Sequence, residues 1–148
     1  SVGEADTFIK SYFQQYPRVL GFMESQKERA RKTGYLETIL GRRSYFPEIN
    51  SSNVNMRNFS ERAAINAPIQ GSAADLIKRA MLAIQAGLRN KKLKSLMIIQ
   101  VHDELVFDML EKEREEISLL VRNEMEGAAQ LKVPLKVKLT VGETWYKD

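Results

Sequence analysis

The sequence contains no cysteine and only one histidine, His102, among its 148 residues. The lack of cysteine excludes disulfide bonds, thiolate zinc sites and cysteine nucleophiles. A single histidine excludes a metal site built from several histidines of this chain, and a Ser-His-Asp triad would have to use His102. No apolar run approaches the roughly 20 residues that span a bilayer, and no signal peptide is recognisable. We therefore expect neither a membrane span nor a secretory leader.

The composition is that of a globular protein, with 43% hydrophobic and 28% charged residues. A chain of this length fits one domain and can bury a hydrophobic core without covalent cross-links. The charge is unevenly distributed: residues 1–62 carry ten basic and seven acidic side chains, residues 63–102 six and one, and residues 103–148 seven and eleven. The excess of basic residues over 1–102 and of acidic residues over 103–148 indicates a surface that contacts a polyanion. Ordinary solvated surface would explain the same charge distribution.

Periodicity and breaker residues predict an α+β fold with an antiparallel sheet and packed helices. Ser1 and Glu4 resemble a capping box that starts a helix, Pro17 fits the first turn of a second helix, and Gly34 fits its end. Further helices are predicted over 56–66, 70–90 and 111–130, with a break or kink at Pro68. Strands are predicted over 35–40, 43–46, 96–101 and 105–110, and a half-buried strand over 135–141.

Two adjacent carboxylates, Asp103 and Glu104, follow His102 between two apolar strands, of which the first is predicted to be buried. Buried carboxylates are costly, so the pair is expected at the rim of the hairpin. Mg²⁺ prefers oxygen ligands in rigid geometry and serves phosphoryl chemistry. The alternative is that these are ordinary turn residues, since Asp is common in turns. Two carboxylates are also too few for a two-metal site.

Arg62, Asn66 and Gln70 are spaced four residues apart, so they share one helix face if the helix continues across Pro68, even with a kink. Each of them can donate hydrogen bonds. The minor groove of duplex DNA offers acceptors at every base pair, so such a row can test pairing geometry without reading sequence. An ordinary polar helix face is the alternative. Arg42 and Arg43 follow a glycine turn and could contact phosphates, although paired arginines are common on surfaces.

Taken together, these motifs resemble the C-terminal end of the family A DNA polymerases. The resemblance covers essentially all 148 residues. It rests on four motifs that occur in this order, with a closing Gly142-x-x-Trp145: Gly34-Tyr35-Leu36-Glu37-Thr38; Gly41-Arg42-Arg43-x-Tyr45-x-Pro47; Glu61-Arg62-x-Ala64-x-Asn66-x-Pro68-x-Gln70-Gly71-x-Ala73-Ala74-Asp75; and Gln100-Val101-His102-Asp103-Glu104-Leu105. Each motif is modest alone, but four in order are specific.

The resemblance implies roles for individual residues. Asp103 and Glu104 would be catalytic carboxylates, with Asp103 a ligand of Mg²⁺, and His102 would lie near the primer terminus. The row of Arg62, Asn66 and Gln70 would contact primer and template. The Arg42–Arg43 pair would also lie near DNA. Residues 1 to about 55 would belong to the fingers side, and residues from about 56 to 148 to the palm.

The resemblance also implies missing parts. The family's first motif, with the other catalytic Asp, and the helix that binds the incoming dNTP have no counterpart here. We therefore expect a fragment that depends on the rest of the polymerase chain, that is inactive alone, and that works in the bacterial cytoplasm or an organelle. A non-catalytic DNA-binding or assembly module is the alternative, and a stand-alone interaction domain with accidental matches is a third.

Overall fold

The computed structural model describes residues 2–145, so the predicted cap at Ser1 lies outside the described residues. The chain divides into two compact units, residues 1–72 and residues 73–148. The predicted division between fingers-side and palm parts near residue 55 stays a prediction. Each described unit contains helices and a two-stranded antiparallel sheet, which confirms the predicted α+β class. No helix among the described residues is long and apolar enough to cross a membrane.

The first unit begins with α1 (Val2–Gln15) and α2 (Pro17–Thr33). Pro17 occupies the first turn of α2, where its missing N–H costs nothing, as predicted. Gly34 ends α2 with φ 76°, a left-handed conformation that glycine adopts without strain, and its N–H donates to Ala30 O at 2.8 Å. Both predicted ends of this helix are therefore confirmed.

A small hairpin follows, formed by β1 (Tyr35–Glu37) and β2 (Arg43–Tyr45). It packs with a 3-10 turn at Pro47–Asn50 and with the first half of the long helix α3 (Val54–Asn90). The core of this unit consists of five buried residues: Ala30, Leu36, Phe46, Ile49 and Ala64. An ion pair also joins the two helices, because Arg31 Nη2 on α2 lies 2.6 Å from Glu61 Oε1 on α3.

The predicted break at Pro68 is wrong, because α3 runs without interruption from Val54 to Asn90. A proline inside a helix removes one backbone hydrogen bond and costs about 3 kcal/mol. Packing of the helical turn before Pro68 offsets this cost, since Ala64 is fully buried and Ala67 packs against the same core. The helix begins two residues earlier than predicted because Asn53 Oδ1 accepts hydrogen bonds from the N–H groups of residues 55 and 56.

The second unit contains the rest of α3, the hairpin of β3 (Leu96–Val101) and β4 (Glu104–Asp108), and α4 (Arg114–Glu126) after a 3-10 turn at Glu111–Glu113. Helix α4 ends at Glu126, four residues before the predicted boundary, and Gly127 follows it as the C-cap. The core of the unit consists of Ile84, Leu88, Ile117, Leu120 and Val121.

Two predictions about strands in this unit are wrong. Strand β3 is not buried: Leu96, Ile98 and Ile99 are 60%, 53% and 40% exposed, because among the described residues only β4 pairs with it. Residues 135–141 form no strand, although Leu135, Val137 and Leu139 are half-buried in alternation with exposed neighbours. A strand needs a hydrogen-bonded partner, and here the N–H of Val137 donates to Glu126 instead.

Candidate nucleic-acid interface and acidic hairpin

The acidic hairpin tip is a two-residue turn made by His102 and Asp103. Glu104 was predicted to lie between the strands, but it pairs with Val101 as the last pair of the ladder and is the first residue of β4. His102 has φ 53°, the left-handed region that two-residue hairpin turns require at their first position. Its carbonyl accepts a hydrogen bond of 2.6 Å from the Gln100 side chain. The turn therefore has a defined backbone conformation.

The side chains of His102, Asp103 and Glu104 are all exposed. The expectation that the carboxylates lie at the rim of the hairpin is therefore met. Their oxygens are the ligands that Mg²⁺ prefers, so this donor set fits part of a magnesium site. Among residues 2–145, however, no group of three potential ligands lies close enough to hold a metal ion. The assignment of Asp103 as a metal ligand stays a prediction.

The donor row lies on the first half of α3. Because the helix continues through Pro68, Arg62, Asn66 and Gln70 share one face over about 12 Å, at 1.5 Å per residue. All three side chains are exposed, whereas Ala64, on the other side of the helix, is fully buried. The core thus holds one side of α3 and leaves the donor row open to solvent. Contact of this row with DNA stays a prediction.

The two arginines of the β1–β2 hairpin have different surroundings. Arg43 Nε donates to Glu37 Oε1 at 2.9 Å, and its guanidinium lies 4.4 Å from the ring centre of Tyr35. The hydrogen bond to Glu37, together with Tyr35, raises the pKa of Arg43 above its ordinary value. Arg42 Nη2 instead donates to the backbone oxygen of Gly71 on α3 at 3.0 Å. Their predicted proximity to DNA stays a prediction.

One residue that the sequence analysis missed is Glu113, which joins both ends of the second hairpin. Its carboxylate accepts hydrogen bonds from the N–H groups of Lys94 and Ser95 and from Ser95 Oγ, at 2.8–3.1 Å. Ser95 Oγ in turn accepts from the N–H of Leu110 at 2.9 Å. Burial disfavours the charged form, but these hydrogen bonds outweigh it and lower the pKa of Glu113. No sequence motif signals this contact, because Glu113 lies 19 and 18 residues after its partners Lys94 and Ser95.

Comparison with known proteins identifies the family. The sequence profile of DNA polymerase family A matches residues 1–147. The chain belongs to DNA polymerase family A. It is 47% identical over 143 residues to DNA polymerase I of Bacillus caldotenax and 48% identical over 145 residues to that of Mycobacterium tuberculosis strain H37Rv. These alignments cover 97% and 98% of this chain but only 16% of each relative.

A solved structure has the same fold as this chain. The POL domain of Pol1 from M. smegmatis, in complex with DNA primer-template and dNTP, superimposes with a TM-score of 0.89 at 46% sequence identity. The match covers 92% of this chain and 24% of that one. The resemblance inferred from the four sequence motifs is therefore confirmed at the level of family and fold.

Proposed function

We propose that this chain is the C-terminal part of a DNA-directed DNA polymerase, a transferase that adds dNTPs to a primer. The observation that supports this most strongly is the order of four polymerase motifs along a chain that matches its family almost end to end. The solved relative is a complex with DNA primer-template and dNTP, which supports the same partners for this chain. Because the chain spans about one-sixth of its relatives' length, we propose that the rest of a polymerase chain supplies most dNTP contacts.

In this proposal each unit supplies one part of the machinery. The exposed row on α3, formed by Arg62, Asn66 and Gln70, donates hydrogen bonds to acceptors in the minor groove of the primer-template duplex. Because those acceptors are nearly equivalent for all Watson–Crick pairs, the row checks pairing geometry and not base identity. Arg43 adds a positive charge near the DNA backbone.

The second unit supplies the carboxylates. Asp103, on the hairpin turn, would hold Mg²⁺, with Glu104 as a supporting carboxylate and His102 near the primer terminus. A bound Mg²⁺ neutralises charge on the reacting phosphate and lowers the barrier to nucleotidyl transfer. The hairpin ladder, which ends at the Val101–Glu104 pair, places Asp103 at the tip, where its carboxylate is open to a cation that prefers oxygen ligands. A second catalytic Asp from elsewhere in the polymerase chain completes the two-metal site.

The proposal is tested by primer extension with purified chain, alone and with the upstream part of a related DNA polymerase I. We expect extension only from the mixture. In the mixture, Asp103→Asn should lower the single-turnover rate by orders of magnitude and leave primer-template binding nearly unchanged. Asp108→Asn is the matched control, because Asp108 is an exposed carboxylate at the other end of β4 and its loss should be tolerated.

An Asp103→Asn rate within a few-fold of wild type would exclude the metal-ligand role. The alternative function is a DNA-binding or assembly module without chemistry. Duplex binding by the mixture without any extension, under conditions where the intact relative is active, would favour this alternative. We also propose that the protein works in the bacterial cytoplasm, as its relatives are bacterial polymerases.

A further inference from the structure

The turn between β1 and β2 contacts α3 immediately after Gln70. Arg42 Nη2 donates to the backbone oxygen of Gly71 at 3.0 Å, and the N–H of Ile39 donates to Ser72 Oγ at 3.0 Å. The turn itself is closed by hydrogen bonds between Thr38 and Arg42. The Arg42 side chain and the Ile39 backbone of the turn thus form hydrogen bonds with two consecutive helix residues, Gly71 and Ser72.

The approach of the turn to the helix is close enough to require glycine at position 71. A Cβ at this position would lie 2.8 Å from Thr38 Cγ2 and 3.2 Å from Arg42 Nη2. Thr38 is buried and β-branched, so it cannot move aside cheaply. A side chain at position 71 would therefore force the turn away from α3.

This contact lies in the helical turn that follows Pro68. Pro68 has no N–H, so one backbone hydrogen bond is missing in the turn that leads to Gln70. Ser72 Oγ donates to the backbone oxygen of Pro68 while it accepts from the N–H of Ile39, so this hydroxyl joins the β1–β2 turn to the helical turn from Pro68 to Ser72, which contains Gln70. The position of Gln70 then depends on contacts from outside the helix as well as on the helix itself.

We propose that Arg42 and Ser72 are positioning residues, which latch the β1–β2 turn to α3 and thereby fix the direction of the Gln70 side chain. The latch is defined here as the bonds from Arg42 to Gly71, from Ile39 to Ser72, and from Ser72 to Pro68. This inference rests on the proposed function, because Gln70 has a role only if α3 faces DNA. It assigns the exposed Arg42 side chain to a contact with the backbone of α3 and not to a DNA phosphate.

The kinetic test uses the polymerase reconstituted from this chain and the upstream part. Arg42→Ala and Gly71→Ala should each lower the rate of matched-primer extension roughly two- to ten-fold, the effect expected from losing one hydrogen bond. In a Gln70→Ala background neither should cause a further loss. The salt dependence of primer-template binding should be unchanged, since no phosphate contact is removed.

Two results of this test would overturn the inference. If Arg42 contacts a DNA phosphate, Arg42→Ala should reduce the slope of log binding constant against log salt concentration by about 0.9, the value for one contact. Independent action predicts that the losses from Arg42→Ala and Gln70→Ala multiply. Arg18→Ala removes one exposed charge from α2 of the same unit, and serves as the control for non-specific effects of charge.

A second measurement tests the latch without any polymerase activity. Amide hydrogen exchange at Ile39 should be slow in the wild-type chain and in Arg18→Ala, and faster in Ser72→Ala and Arg42→Ala. The Gly34 amide, bonded to Ala30 O, reports whether the unit is folded in each variant. Fast exchange at Ile39 with a protected Gly34 amide in wild type would refute the latch. If the Ile39 amide of the wild-type chain exchanges slowly but the reconstituted polymerase does not extend primers, the latch stands and the proposed function is refuted.

Discussion

Packing between α3 and α4 makes a quantitative prediction for Gly87→Ala. A Cβ at position 87 would lie 2.5 Å from Leu120 Cδ1 and 3.0 Å from Cδ2, well inside van der Waals contact. Leu120 belongs to the core of the second unit and is only 8% exposed. Overpacking of this kind costs about 1–3 kcal/mol, whereas alanine gains roughly 0.8–1 kcal/mol over glycine in a helix. We expect a net destabilisation of up to about 2 kcal/mol.

The same contact predicts that the effect of Gly87→Ala on stability changes sign when Leu120 is shortened to alanine. Leu120→Ala alone should cost about 2–5 kcal/mol, as for other buried leucines. In that background Gly87→Ala no longer meets a side chain and fills part of the cavity, so it should stabilise the chain by about 1 kcal/mol. The two substitutions should therefore be coupled by about 1–3 kcal/mol, which urea denaturation of the four proteins measures.

Gly21→Ala in α2 is the matched control, because a Cβ at position 21 meets nothing within 4 Å. It should stabilise the chain by up to about 1 kcal/mol through helix propensity alone. If Gly87→Ala changes the unfolding free energy equally in the wild-type chain and in the Leu120→Ala variant, the close approach of the two helices is not what requires glycine at this position.

Two further predictions concern Gln70 and Glu113. In the reconstituted polymerase, Gln70→Ala should slow extension from matched primers roughly two- to ten-fold, similarly for all four template bases, because it removes one hydrogen bond to a minor-groove acceptor. A 3-deazapurine at the contacted position should slow wild type more than Gln70→Ala, and multiplicative losses at every position would contradict the contact. For Glu113 the folded pKa is lowered, so its contribution to stability is present above its ordinary pKa of 4.5 and is lost as pH falls through the folded pKa. Thermal unfolding of wild type and Glu113→Gln should therefore differ at neutral pH and converge in acid, and a difference that stays constant as the solution is acidified would refute the role of the charge.

Local signals in the sequence determined much of the fold. The start of α2 at Pro17 and its end at Gly34 follow from the backbone angles that proline and glycine allow, and no distant residue is needed to set them. The helical faces that pack in the second core were also readable, since Ile84, Leu88 and Leu120 recur at helical spacing within their helices. Family membership followed from the order of four motifs, which is a property of the chain and not of its conformation.

The candidate site was determined by the sequence only in part. The types of residue at the hairpin tip and along α3 were readable, together with the chemistry that carboxylates and amide donors allow. The exposure of the carboxylates at the hairpin tip was also predicted, because burying them is costly. The exposure of the donor row on α3 was not, because it depends on which side of the helix the core covers. Glu113 was missed because its three donors come from Lys94 and Ser95, 19 and 18 residues earlier in the chain.

Tertiary structure decided every feature that needs a partner from elsewhere in the chain. Residues 135–141 have the alternation of a strand, but a strand exists only with hydrogen bonds to a neighbour, and Glu126 takes the N–H of Val137 instead. Pro68 carries a strong breaker signal, yet packing of the turn around Ala64 keeps α3 continuous. Arg42 looks like a surface cation in the sequence, and only the folded hairpin brings it to the Gly71 carbonyl. Backbone preferences act within a few residues and can be read in sequence, whereas hydrogen-bond pairing and burial depend on residues that only folding brings together.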